Sequence, residues 1–179
     1  MPRKPTTVLG INPGAKCLGV AIFRGPELRD WRIKVTKGRW TDEKYRKSLD
    51  IVTELVERYR PEALALKRLH PSRSSVDLDR LVQEIAELAE QRGITVCRYG
   101  IKELEAFFNV GGRRNKRKMA EAIVSEYAML HSELQKEFDP DPHKRNKNSY
   151  YVRMFEAVAL GAVCFHEMDN CQPSRHPES

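Results

Sequence analysis

Three short apolar runs separated by tight turns fill the first 35 residues, and they restrict the fold more than any other feature of the chain. Residues 7–11 form a strand pattern broken by Asn12-Pro13-Gly14. Residues 18–23 form a second, Gly25-Pro26 supplies a turn, and residues 28–35 form a third with Trp31, Ile33 and Val35 alternating. Such a run predicts an antiparallel meander. The pattern then changes period. Thr41 can cap a helix whose first turn holds Asp42 and Glu43 and whose stripe is Tyr45, Leu49, Val52, Val56 and Tyr59, stopped by Pro61. Residues 63–66 are a compact buried strand, 76–90 an amphipathic helix ended by Gly93, and 94–97 another short strand. Met119, Ile123, Tyr127 and Leu130 make one more helical stripe, and residues 139–148 a polar, Pro-broken loop. Residues 150–166 predict a final helix that is apolar nearly all round over 158–165. The predicted order is β-β-β-α-β-α-β-α-α. An α/β fold follows, with one five-stranded mixed sheet covered by helices on both faces.

At 179 residues the chain is long enough for one domain that buries about two thirds of its unfolded surface, and too short for two of ordinary size. A single domain over 1–168 with a frayed tail over 169–179 is expected. Apolar residues make up 40% and charged residues 32%, which suits a globular protein, and no segment repeats along the chain. No run approaches the roughly 20 apolar residues of a membrane helix, so no membrane partner is expected. The start, MPRKPTTVLGI, passes directly into a strand and does not resemble a secretory signal. Cys17, Cys97, Cys164 and Cys171 are widely spaced with no CxxC pair, and His166 with Cys171 alone makes no zinc site. Reduced thiols and a cytoplasmic location are the expectation. The net charge of +7 favours a polyanionic partner.

Particular residues sharpen this picture. Val8-Leu9-Gly10-Ile11-Asn12-Pro13-Gly14, followed by the small-residue strand Leu18-Gly19-Val20-Ala21, resembles the opening of the ribonuclease H-like fold, and within it the RuvC-type Holliday junction resolvases. Their first strand ends in Gly-Ile-Asp-Pro-Gly. The likeness continues through Ala63-Leu64-Ala65-Leu66-Lys67 at the fourth strand. It extends to the glycine-plus-basic loop Gly111-Gly112-Arg113-Arg114-Asn115-Lys116 and to Phe155-Glu156-Ala157-Val158-Ala159-Leu160 in the last helix. The resemblance implies a homodimer and a branched or junction DNA as partner; the apolar face of residues 76–90 serves either as the dimer interface or as core packing. It also implies carboxylates holding two divalent ions about 4 Å apart for phosphodiester hydrolysis.

At the implied ligand positions the sequence departs from that pattern. Asn12 stands at the first-strand acid and Lys67 at the fourth-strand acid. Arg153 and Glu156 stand at the two ligands of the last helix. Magnesium requires hard oxygen donors, and neither an amide nor an ammonium replaces a carboxylate. The expected protein is therefore a nucleic-acid binder with a degenerate nuclease site, no cofactor, and little or no metal-dependent cleavage. Two alternatives stand beside it. One is an active structure-specific endonuclease using magnesium or manganese, with Glu156 helped by Asp77 and Asp79. The other is a scaffold that keeps the fold only to bind proteins.

Cationic clusters supply the candidate binding residues. Arg113, Arg114, Lys116, Arg117 and Lys118 put five positive charges in six positions, where a helix start would otherwise favour acids. Lys67 and Arg68 at the strand edge, and Lys144, Arg145 and Lys147 in the polar loop, complete the set. A second basic flank runs over residues 24–47, with nine cations against four acids. Phe107 and Phe108 are either core residues or a wedge that stacks on an unpaired base. Trp31 and Trp40 divide evenly between packing and base contact. Gly14 and Gly19 serve either turn and strand packing or close approach of a phosphate.

Overall fold

The protein is described by a computed structural model covering residues 4–112, 116–141, 143–144 and 150–171, without the side chain of Arg73. Strands β1 (Thr7–Pro13), β2 (Cys17–Arg24) and β3 (Glu27–Val35) form the meander. Helix α1 (Asp42–Tyr59), β4 (Ala63–Lys67), α2 (Val76–Gln91) and β5 (Thr95–Tyr99) follow. The sheet order is β3-β2-β1-β4-β5, with β1 antiparallel to β2 and parallel to β4. Helices α3 (Ile101–Phe107), α4 (Lys116–Glu126), α5 (His131–Glu137) and α6 (Tyr150–Asn170) complete the chain. This is the five-stranded mixed sheet of the ribonuclease H-like architecture, flanked by helices on both faces.

Strand alternation sorts the side chains into two cores. Leu9, Ile11, Leu18, Val20, Ile22, Leu64 and Leu66 face α1 and α2. Val8, Ala21, Phe23, Ala63 and Ala65 face α6 and its neighbours. The second face is lined by small residues near its centre, so α6 settles deep against the strands. A Cβ built on Gly10 would lie 2.3 Å from the Ala157 carbonyl oxygen, and one on Gly19 would lie 2.2 Å from that of Arg153. Only glycine at those places lets the helix backbone come so close. That packing explains why the last helix is buried over Met154–Cys164.

Local chemistry sets most boundaries. Thr41 accepts the Lys44 N–H at 3.2 Å as the α1 cap, and Arg60 ends that helix in the left-handed region at φ 45°. The next residue is Pro61, which cannot continue a helix. Three features depart from the sequence expectation. The stripe from Met119 to Leu130 is divided: α4 ends at Glu126, Tyr127 takes φ −126°, and a 3-10 turn (Ala128–Leu130) leads into α5. Tyr127 turns its ring edge-on to Phe23 at 5.6 Å, so a tertiary contact holds the break. Helix α3 was not expected because its seven residues bury only Leu104 and leave no readable period. Helix α6 carries on through Asn170, past the expected tail boundary.

The apolar stripe of α2 is used inside the molecule, with Leu88 half-buried and only Val76, in the first turn, exposed. Leu78, Leu81, Val82, Ile85, Ala86 and Ala89 are all buried in the core shared with α1. Its outer side carries Asp79, Arg80, Gln83 and Glu87, which are exposed.

Candidate nucleic-acid interface

The end of β1 and the end of β4 meet because the two strands are parallel and in register, with Ile11 beside Leu66. One residue further, Asn12 and Lys67 both turn to the α6 face by the two-residue period. Glu156 comes to meet them from the first half of α6. Asn12 Nδ2 donates to Glu156 Oε2 at 2.7 Å and to the Arg153 carbonyl at 3.3 Å. Lys67 Nζ donates to the same Glu156 oxygen at 2.6 Å. The ion pair is largely enclosed, with the two side chains 19% and 12% exposed. Asn12 is wholly buried, and its Oδ1 has no hydrogen-bond partner. Arg153 sits one turn before Glu156 and makes its hydrogen bond elsewhere: its Nη1 donates to the Pro13 carbonyl at 3.4 Å, and its guanidinium covers Gly14.

These groups form part of the wall of a cleft of about 450 Å³. Lys16, Lys67, Arg68, Lys116 and Arg153 bring five cations to its lining, against the carboxylates of Glu105 and Glu156. Leu69, Leu78, Ile101, Met119 and Phe155 make the apolar part. Cys17 also lines the space. Burial pushes its thiol up, and the nearby Arg153 charge offsets this only in part. A concave surface with such an excess of positive charge concentrates anions, phosphates among them.

The candidate residues divide by position. Arg68 lines the cleft while its Nη1 pairs with Glu103 at 2.8 Å and its Nη2 donates to the Arg98 carbonyl. Lys116 lines it from the start of α4. Arg117 is exposed and pairs with Glu121 at 2.9 Å, Lys118 is exposed on the same turn, and Lys144 is exposed in the loop before α6. Arg113, Arg114, Arg145 and Lys147 lie outside the described residues. Neither phenylalanine lines the cleft. Phe108 packs half-buried on the core, and Phe107 stands edge-on to Phe108 at 5.0 Å and to His166 at 5.2 Å. His166 is ten residues beyond Glu156, about 15 Å along the helix axis. The acids considered as substitute ligands are engaged elsewhere: Asp77 accepts from the Tyr45 hydroxyl at 2.8 Å and Asp79 from Ser74. Lys16 was not anticipated as a cleft residue. Its signal in the sequence was its place two residues past Pro13-Gly14, at the turn that follows the site strand.

A pair of divalent ions does not fit this donor set. Among the described residues no group of three or more His, Cys, Asp or Glu side chains converges. More directly, the four positions present an amide, an ammonium, a guanidinium and one carboxylate. The carboxylate oxygen that faces the strands is already held by the ammonium and the amide. A divalent ion placed there would have to displace Lys67 and then share the site with its charge.

No family model and no curated protein matches the chain. Solved structures do. RuvC of Thermus thermophilus is 18% identical, with a TM-score of 0.67 over 92% of this chain and 97% of that one. The same protein in complex with a Holliday junction substrate is 19% identical, with a TM-score of 0.63 over 92% and 96%. The yeast mitochondrial Holliday junction resolvase Ydc2 is 14% identical, with a TM-score of 0.53 over 95% and 85%. At these identities the likeness establishes the fold: the chain has the ribonuclease H-like fold in its RuvC-like form.

Proposed function

We propose that this protein binds nucleic acid, branched DNA in particular, through the basic cleft at the ends of β1 and β4, with little or no metal-dependent cleavage. The observation that carries the reading is the Lys67–Glu156 ion pair at 2.6 Å, set in a cleft lined by five cations and two carboxylates. An ammonium holds the Glu156 carboxylate, and the surrounding charge favours phosphate. The solved complex of T. thermophilus RuvC with a Holliday junction substrate supports junction DNA as the ligand. Binding of this kind is made mainly to the sugar–phosphate backbone and falls steeply with salt. The reading includes a homodimer and a reducing, cytoplasmic setting in which the four free cysteines stay thiols.

The test is incubation of the purified protein with four-way junction, flap, linear duplex and RNA–DNA hybrid substrates, with magnesium or manganese, scoring binding and cutting together. The protein is expected to bind the junction and leave it intact. Charge reversal at Arg113, Arg114, Arg117 and Lys118 is expected to weaken binding. An Asn12→Asp, Lys67→Glu, Arg153→Asp variant run alongside asks whether restored carboxylates return cutting on the same scaffold. Efficient cutting by the unaltered protein that vanishes in Glu156→Ala would overturn the non-cleaving reading. Unchanged affinity at low salt after the charge reversal would remove the basic loop from the interface.

A further inference from the structure

A second concavity, of about 440 Å³, adjoins the cleft and is lined by Ala15, Lys16, Lys37, Gly38, Trp40 and Lys44. Ala15 and Lys16 line both spaces, so the two lie side by side. Lys37 strengthens the link: its ammonium stands 5.8 Å from the ring centre of Tyr150, a residue of the cleft wall. The lining holds three ammonium groups and no carboxylate.

The floor of this concavity is built, not incidental. Lys44 is only 7% exposed, and its Nζ donates to the Ala15 carbonyl at 2.5 Å and the Gly38 carbonyl at 2.9 Å. The same ammonium lies 4.1 Å from the Trp40 ring centre. Trp40 leans on Tyr45 at 5.2 Å, and the Tyr45 hydroxyl is fixed on Asp77. A buried cation thus clamps the β1–β2 turn to the segment between β3 and α1. Burial pushes that ammonium below the ordinary lysine value, with the charge of Asp77 working against the shift. A clamp alone would need only Lys44. Lys16 and Lys37 add two more cations at the same place, and neither pairs with a carboxylate among the described residues. Lys16 and Lys37 are exposed beside the fixed Lys44, so an anion bound there offsets three like charges lining one space.

We infer that this concavity is a second phosphate-binding site, which takes the sugar–phosphate backbone of a strand leaving the central cleft across Lys16. The inference rests on the nucleic-acid reading of the cleft and adds the path of the strand beyond it. Lys16 and Lys37 supply the direct contacts, and Lys44 with Trp40 holds the two loops in place.

The experiment is amine acetylation of the full-length protein with and without a four-way junction at low salt, read at each lysine by mass spectrometry. Lys16, Lys37 and the cleft residue Lys116 are expected to be protected, while Lys4, at the opposite end of the sheet, keeps its rate. In parallel, Lys37→Ala is expected to fold normally and to weaken junction binding severalfold. It should also flatten the slope of log affinity against log salt by about 1, the loss of one phosphate contact. Protection of Lys116 with Lys37 still labelled at its free rate overturns the second site and leaves the cleft reading intact, as does an unchanged salt slope in Lys37→Ala. Absence of junction binding by the unaltered protein overturns both.

Discussion

Lys67 ends β4 and sends its ammonium to Glu156 Oε2, where Asn12 already donates its amide. Removing the ammonium alone leaves a largely enclosed carboxylate with its charge uncompensated. Lys67→Met is therefore expected to lower stability by about 2 kcal/mol in urea unfolding, below the roughly 3–5 kcal/mol of a fully buried pair because both side chains keep some exposure. Adding Glu156→Gln should recover at least half of that loss, since the charge and its partner then leave together. Losses that simply add would show that the two groups do not act as a pair. The identities of these residues were legible in the sequence, as was the departure from a carboxylate set. That the lysine would turn inward onto Glu156, and that Arg153 would reach the Pro13 carbonyl instead, was not. Side-chain direction there depends on the height at which α6 crosses the sheet.

That height is an element-scale property, set by glycines under α6. Met154 N and the Arg153 carbonyl would lie 2.8 Å and 2.2 Å from a Cβ at Gly19. Backbone atoms cannot swing aside as a side chain can, so the helix must move as a body. Gly19→Ala is expected to lower stability by about 2–3 kcal/mol. It should also weaken nucleic-acid binding, because the displaced turn carries Arg153 and leads into Glu156. Urea unfolding and a binding titration on the same preparation check both; retention of full stability would mean that α6 has room the close approach denies. Gly19 thus serves packing. The meander, α1, β4, α2, β5 and α6 were legible because each has a clear period and a chemical stop. The division of α4 from α5 was hidden because Ile123 and Leu130 fit one helical stripe, while the break depends on Tyr127 meeting Phe23, a residue 104 positions away.

The whole molecule combines a +7 charge with a cleft and an adjoining concavity at one end of the sheet. A homodimer built on α2 would have to use the polar outer side of that helix, where Arg80 already pairs with Glu84 and Gln83 with Glu87. Contacts of that kind are screened by salt. Sedimentation is therefore expected to show a dimer at low ionic strength that shifts toward the 20.7 kDa monomer as salt is added. A 20.7 kDa species at every salt concentration would remove the dimer. No helix among the described residues is long and apolar enough to cross a membrane.

Apart from α3 and the break between α4 and α5, the order of strands and helices, the faces they bury and the excess of positive charge were set by local sequence. Period, turn residues and caps act over a few positions and leave their mark there. What only the tertiary structure decided is which charges share a space. Lys67 and Glu156 are 89 residues apart, and Asn12 and Glu156 are 144 apart. Lys16 and Lys37 belong to two separate loops that the buried ammonium of Lys44, in the first turn of α1, draws together. Such meetings follow from parallel strand register and the close seating of one helix. Neither leaves a local pattern in the chain, because the free energy of a contact depends on distance in space and not on separation in sequence.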